Sequence, residues 1–457
     1  MTTTTVRFGP AFQAAQGLAE ALAVHSGRRV ALVHDVVGRF RFVLEDREGR
    51  GASHPIDRDA LAAWLEPQAK RLGGFDAGRD RLLYASRLLQ PEGLFSGPGA
   101  LHLGSDTTYV DRSATGLDWS RPPLPNDAPT PPRLVLYGVK GGVGRSTATA
   151  ALAWHLARRG HRVLAVDLDL ESPGLGSLLV PMDRHPEAGV VDWLVEQGVE
   201  QADDALLDAM VTNADFAPPF DAAAAGVVHV VSAAGRADLQ PTTALAAGPI
   251  APSYLDKLTR ARLDLPRTLH EATFAGRLAS LLDALERRFS PTVVLIDSRS
   301  GLHEVAAIAL TRLGAECLLF AGGSPSTWSA YHLLLHRWGT RLSAEARSAL
   351  LDRLHTVAAL VPEKGRTDYL NRFAADAYET FSQTLYPDAS EGEPEEFPEA
   401  SEDAPHSPVP IRWQASLTGL TFSALETTPA ELEAAFEDLF SLADELAPSP
   451  SSSGNPS

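Results

Sequence analysis

The sequence predicts an α/β fold, a doubly wound and mostly parallel sheet, preceded by a small α+β accessory domain. Three observations carry this. Beyond residue 133, apolar strand-like runs alternate with helical periodicities, the pattern of βαβ units. The first of these runs leads into a glycine-rich loop, and two later ones end in aspartate. Polar and flexible residues therefore collect at strand C-terminal ends, the edge where open α/β sheets bind ligands. Finally, the stretch from Ser120 to Pro132 contains six prolines and no periodicity, which separates an N-terminal module from the rest.

Residues 1–118 read as the accessory domain. A helix spans Ala11 to Ala23, a hairpin pairs Arg29 to Val33 with Arg39 to Leu44 around Gly38, and a helix runs from Asp57 to Leu72. No catalytic constellation is visible there, which suits a module for contact or regulation. Residues 119–132 form the proline-rich linker and residues 133–386 the main domain. Its strands are Leu134 to Tyr137, Arg162 to Asp169, Gly226 to Ser232, Thr292 to Asp297, Cys317 to Phe320 and Thr356 to Val361. Its helices include Ala148 to Arg159, Thr268 to Phe289 and Ser326 to Trp338. Residues 387–410, rich in proline and glutamate and poor in apolar residues, are expected to be a disordered insertion. Residues 411–447 return to the main domain and end in an acidic amphipathic helix, Pro429 to Leu446, with a disordered tail over 448–457.

The chemistry is concentrated in Val139-Lys-Gly-Gly-Val-Gly-Arg-Ser-Thr147. Glycines let the backbone curl so that successive N–H groups point inward, and the following helix adds its free amides and positive dipole end. Such a loop cradles phosphate, and a nucleotide is the ligand it implies. Against the general pattern G-x-x-x-x-G-K-[ST], Val139 replaces the first glycine and Arg145 the lysine. Guanidinium is larger and planar, holding phosphate bidentately where ammonium acts as a compact point charge. Binding is expected to survive that exchange better than hydrolysis.

Lys140, ahead of the paired glycines, makes the loop resemble the deviant Walker A box of the ParA/MinD family of P-loop ATPases. The chain has four lysines against thirty-six arginines, so a lysine kept here is hard to assign to composition. The strings Asp167-Leu-Asp-Leu-Glu-Ser-Pro-Gly-Leu175 and Asp297-Ser-Arg-Ser-Gly301 are similar to boxes of one bacterial subgroup, whose loops often carry arginine too. The resemblance implies ATP and Mg²⁺ as ligands and slow ATP hydrolysis as the activity. It assigns phosphate contacts to Gly141, Gly142, Val143, Gly144, Arg145, Ser146 and Thr147, and Mg²⁺ to Ser146 directly and Asp297 through water. Asp169 would orient the attacking water, and Lys140 would reach the partner's nucleotide across a dimer interface. Pro362 and Glu363, after the last predicted strand, fall where the family closes over the base.

Composition bounds the partners. At 457 residues and 44% hydrophobic content the chain can supply two or three cores. The single cysteine, Cys317, cannot form an internal disulfide, and its apolar setting suits a buried strand residue. The N-terminus lacks the basic and apolar regions of a signal peptide, and no apolar stretch reaches the ~18 residues of a membrane span, so a cytoplasmic location is expected. A net charge of −18 argues against nonspecific DNA binding, which basic surface drives, and acids along the last helix argue against anionic membranes. An ATP-dependent homodimer with an unidentified protein partner is expected. The alternative is a degenerate module that holds nucleotide structurally without appreciable hydrolysis. His332 and His336 share a helical face but lack a third metal ligand. Arg299 could sense the terminal phosphate, or pair with an acid such as Asp167 or Asp169.

Overall fold

The computed structural model describes residues 5–47, 56–97, 99–113, 116–125, 130–214, 226–240, 253–264, 273–387, 397–417 and 429–448. The chain divides between Leu117 and Asp118 into two compact units.

The first unit holds strands β1 (Val30–His34), β2 (Phe40–Leu44), β3 (Leu82–Tyr84), β4 (Ala100–His102) and β5 (Thr107–Asp111) in the order β3-β2-β1-β5-β4. β1 and β2 form the expected antiparallel hairpin, with Val30 opposite Leu44. Its turn closes because the Asp35 carboxylate accepts the N–H groups of Val37 and Arg39 at 3.0 and 2.9 Å, while Gly38 adopts φ 95°. The helix Phe8–Ser26 turns Ala11, Ala15, Leu18 and Leu22 toward the sheet, and Arg58–Ala69 adds Leu61 and Leu65 to the same core. The three-residue strands β3 and β4 are too short to show a period in sequence.

The second unit is α/β. Strands β6 (Arg133–Gly138), β7 (Arg162–Leu168), β8 (Val211–Asn213), β9 (Val227–Val231), β10 (Val293–Ser298), β11 (Glu316–Ala321), β12 (Leu354–Val361) and β13 (Pro408–Arg412) make one sheet. Their order is β13-β12-β11-β6-β10-β7-β9-β8, parallel throughout except for the antiparallel edge strand β8. β6 and β10 are buried along their whole length, which is why they read as continuous apolar runs. One face packs against the helices Phe274–Phe289, Pro325–Arg341 and Arg366–Ser382, the other against Arg145–Arg158 and Pro429–Leu446. β6 lies between β10 and β11, so the chain leaving β6 emerges at the crevice that a doubly wound sheet opens at its carboxyl edge.

Three expectations are corrected. The start of the linker, residues 119–124, is not free, nor is Asp118 before it: Trp119 is buried in the second unit's core, Thr311 Oγ1 donates to the Asp118 carbonyl at 2.7 Å, and the Arg312 carbonyl accepts the Leu124 N–H at 2.9 Å. Prolines stop the segment from forming a strand, but side chains and carbonyls of residues 311–312 satisfy its backbone. In the presumed disordered insertion, Phe397 stacks on Tyr386 with ring centroids 4.6 Å apart, and Pro408–Arg412 pairs with β12. An edge strand needs N–H groups only toward its single neighbour, so prolines at the alternate positions 408 and 410 are compatible with it; residues 388–396 lie outside the described part. The helix after the glycine loop begins at Arg145 instead of Ala148. The start of the expected helix Thr268 to Phe289, like the tail from 449, lies outside the described residues.

Candidate functional site

The loop Val139–Gly144 leaves the carboxyl end of β6 and stops at Gly144, whose left-handed φ of 81° turns the chain into the helix Arg145–Arg158. Gly142 is also left-handed at φ 76°. A Cβ on either would meet nothing within 4 Å, so both face open space while holding backbone angles that L side chains rarely adopt. Val139 and Val143 are buried and anchor the two sides of the loop, which is how valine is tolerated where the general motif has its first glycine. The first-turn amides of Arg145, Ser146 and Thr147 precede the first intrahelical bond, from Ala148 N–H to the Gly144 carbonyl at 2.8 Å. Gly141, Gly142 and Lys140 are exposed beside them, and Lys140 has no ion pair among the described residues.

The acids gather on the neighbouring strands. Asp297, near the end of β10, stands directly across from Asp167 on β7 in the parallel register. The Asp167 carboxylate accepts the N–H groups of Asp169, Gly174 and Leu175 at 3.0, 3.0 and 3.1 Å, shaping the loop after β7. Burial, then the facing Asp297, pushes its pKa up. Burial also raises Asp297, to about 6, against the pull of the Arg145 charge and the Ser146 hydroxyl. Both Asp297 oxygens are buried without a geometrically formed hydrogen bond among the described residues. Asp169 is likewise raised by burial, with Arg145 and Arg299 opposing.

Arg145 is 8% exposed and is turned inward. Its guanidinium donates to the Ser298 carbonyl and lies 3.7 Å from the Asp169 carboxylate. The loop after β10 is tied to β6 by two bonds, Gly301 N–H to the Gly138 carbonyl at 3.2 Å and the Tyr137 hydroxyl to the Gly301 carbonyl at 3.1 Å. Residues 139–147, 167–169 and 297–301 thus form one constellation. Arg299 pairs with Asp169 at 3.7 Å and with Glu171 at 2.5 Å, not with Asp167. Pro362 and Glu363 follow β12, two strands from β6, and no hydrogen bond or ion pair among the described residues links them to the loop. Cys317 is buried in β11, where burial pushes its thiol up to about 12. His332 lines a separate groove of about 380 Å³ between the helices Pro325–Arg341 and Arg366–Ser382, with Asp376 and Glu379. Among the described residues no group of three or more His, Cys, Asp and Glu could cage a metal.

Sequence reasoning did not single out Asp167, Glu171, Arg262 or His303 as site residues. The first two stand in the quoted Asp167–Leu175 string, where they could have been found. Arg262 and His303 both pair with the Glu171 carboxylate, Arg262 from the end of the distant helix Tyr254–Ala261, and no local signal announces it.

The family described as the CobQ/CobB/MinD/ParA nucleotide binding domain matches residues 134–429. An uncharacterized protein of Mycobacterium tuberculosis (strain H37Rv) is 33% identical over 170 residues, 34% of this chain and 51% of its own length. The ESX-1 secretion-associated protein EspI of the same organism is 38% identical over 73 residues, 16% of this chain and 10% of its own. The chain therefore spans about half of the first relative and about a tenth of the second. Among solved structures, the septum site-determining protein MinD complexed with Mg-ADP, from Pyrococcus horikoshii, aligns with a TM-score of 0.39 at 18% identity, over 69% of this chain and 97% of that one. With its glycine loop and acid-tipped strands inside the matched span, the chain belongs to the CobQ/CobB/MinD/ParA nucleotide-binding family.

Proposed function

We propose that the protein is a regulatory ATPase of the deviant Walker A type, an ATP-dependent dimerising switch that acts on a protein partner. The observation that carries this is the meeting of three things at one strand edge: free amides at the start of a 14-residue helix, left-handed glycines that open the loop, and a buried carboxylate, Asp297, whose oxygens lack full partners. The first two suit the phosphates of a nucleotide and the third suits a cation. Ser146 and Asp297 would hold Mg²⁺ together with phosphate oxygens and water, the mixed donor set this ion prefers over an all-protein cage. When bound, Mg²⁺ neutralises charge on the outer phosphates.

The chain's own residues supply the rest. Backbone amides of residues 141–147 cradle the phosphates, and the Thr147 hydroxyl adds a donor. Asp169 orients water, Lys140 serves a partner subunit's nucleotide, and Pro362 with Glu363 borders the base. The location proposed is the cytoplasm, and the charge of −18 disfavours DNA as the partner. A second reading, nucleotide held without turnover, is favoured by one feature: Arg145 is already engaged with Ser298 and Asp169.

Calorimetry with MgATP, MgGTP and MgADP, paired with phosphate release, tests both readings. Wild type should bind ATP in preference to GTP, and Gly144→Val should abolish binding by placing a branched side chain in the cradle at φ 81°. Asp169→Ala should bind ATP but lose turnover by about 100-fold or more, because water orientation acts mainly in the transition state. Equal GTP affinity defeats the nucleotide assignment; binding without any wild-type turnover selects the second reading.

A further inference from the structure

Two residues beyond Asp169, the loop after β7 carries a second acid whose surroundings are not those of a solvated turn. The Glu171 side chain is 18% exposed, and three groups from two other segments converge on it. Arg299, in the loop after β10, lies 2.5 Å away; His303 Nε2 lies at 3.2 Å; and Arg262, which caps the C-terminus of the helix Tyr254–Ala261, forms a third ion pair. Burial, then the two arginines, pulls the His303 pKa down to about 4, so the ring is neutral at physiological pH. Its Nδ1 accepts the Val305 N–H at 3.5 Å, which leaves the proton on Nε2, the nitrogen 3.2 Å from Glu171.

The helix that brings Arg262 is pinned by polar contacts. The Tyr254 hydroxyl donates to the Leu170 carbonyl at 2.7 Å, and Lys257 bridges Asp192 and Asp238 at 2.6 and 2.7 Å. Fully buried Arg277 donates to the carbonyls of Leu194, Ala261 and Leu263 at 2.8, 2.6 and 2.7 Å. Glu171 is therefore braced on one side by a fixed helix and on another by a neutral histidine. The side chain it holds in turn is Arg299, whose guanidinium also lies 3.7 Å from Asp169. Three guanidiniums, of Arg145, Arg262 and Arg299, face the two carboxylates Asp169 and Glu171 beside the phosphate loop.

From this geometry we infer that Glu171 is a positioning residue for hydrolysis, holding Arg299 beside Asp169 so that one cation serves both the water-orienting carboxylate and the terminal phosphate of a nucleoside triphosphate. The inference rests on the ATPase reading above. Arg299 sits two residues before Gly301, a left-handed turn at φ 80°, on a short loop that does not itself fix a long side chain. Without Glu171 the guanidinium would have to be ordered in each turnover; with it, that ordering precedes binding. A purely structural Glu171, tying the Arg262 helix to the loop, predicts loss of stability without a selective effect on chemistry.

The test uses the full chain. Glu171→Gln, which keeps size and removes charge, should lower kcat by about 10- to 100-fold while leaving KM for ATP within about twofold. Arg299→Met should show the same loss, the double variant should add none, and Glu171→Asp should recover part of the rate. By calorimetry, wild type should prefer ATPγS over ADP, and Glu171→Gln should lose that preference. Wild-type kcat in Glu171→Gln, losses that add in the double variant, or an unchanged ATPγS preference each overturns the inference. So does a lowered melting temperature as the sole effect. The calorimetric arm needs no turnover: a wild-type chain that binds ATPγS but does not hydrolyse ATP removes the ATPase reading, while the Glu171–Arg299 pairing is still judged on the ATPγS preference.

Discussion

Asp297 and Asp167 face each other across adjacent parallel strands, both fully buried, and two carboxylates there are costly when ionised. Burial raises the Asp297 carboxyl from 3.8 to about 6 in the folded chain, so between those values the folded state binds more protons than the unfolded one. Stability without ligand then falls as pH rises from about 4 to about 6, and stays low above. Asn at position 297 removes the charge and with it this loss. We predict that Asp297→Asn raises the melting temperature of the ligand-free protein at pH 7.5 by a few degrees, on the order of 1–3 kcal/mol, and that the gain disappears near pH 4. The same variant should lose the extra stabilisation that MgATP gives wild type. A variant that melts below wild type at pH 7.5 would show that Asp297 is stabilised by its surroundings even without a cation, and the case for a cation site would lapse.

At the scale of elements, the helix Pro429–Leu446 shows how an acidic helix packs against the core of its own unit. Leu432, Ala435, Phe436, Leu439, Phe440 and Ala443 are buried, in the core shared with the helix Arg145–Arg158. Its acids meet that helix's basic end: Arg158 pairs with Glu433 at 2.5 Å, and His155 and Arg159 meet Asp444 at 3.0 and 3.2 Å. The His155 ring lies flat on Phe440, centroids 4.2 Å apart. These ion pairs are partly exposed and weak, so packing carries the stability. Leu439→Ala should therefore cost about 3 kcal/mol, read as a lower urea midpoint at unchanged slope, whereas Glu433→Gln should cost under about 1. The apolar stripe of this helix was legible in sequence, as were β6, β7, β9, β10, β11 and β12, because apolar residues dominate all six strands and run almost unbroken in β6 and β10, which are buried on both faces. The three-residue strands β3, β4 and β8 were not, and β13 hid behind Pro408 and Pro410. At the site, loop and strand-end residues were legible because glycine, lysine and aspartate stand at fixed spacing on contiguous segments. The bracing of Arg299 was not, since Glu171, Arg262 and His303 meet only after three distant segments are folded together.

For the whole molecule the question is whether the loop faces a second copy. Among the described residues no helix is long and apolar enough to cross a membrane, and the chain carries a net charge of −18. Two such chains repel at long range, so association needs a local attraction strong enough to offset that field. Lys140 can supply it: the ammonium is exposed at the carboxyl edge and has no ion pair among the described residues, while Arg145 is turned inward to Ser298 and Asp169. A lysine reaching a partner's phosphates would act only when both subunits hold a triphosphate, which makes assembly conditional on ATP. Sedimentation with ATPγS should therefore shift wild type toward a two-fold dimer, with ADP leaving it monomeric. Lys140→Ala should still bind ATPγS, because the amides of residues 141–147 serve the nucleotide within the subunit, yet it should remain a monomer. Raising salt from about 50 to about 150 mM should strengthen wild-type dimerisation, since screening relieves the repulsion between acidic surfaces more than it weakens a desolvated lysine–phosphate contact. If both proteins stay monomeric with ATPγS, or both dimerise without it, the exposed lysine has no trans role and the static nucleotide-binding reading takes the place of the switch.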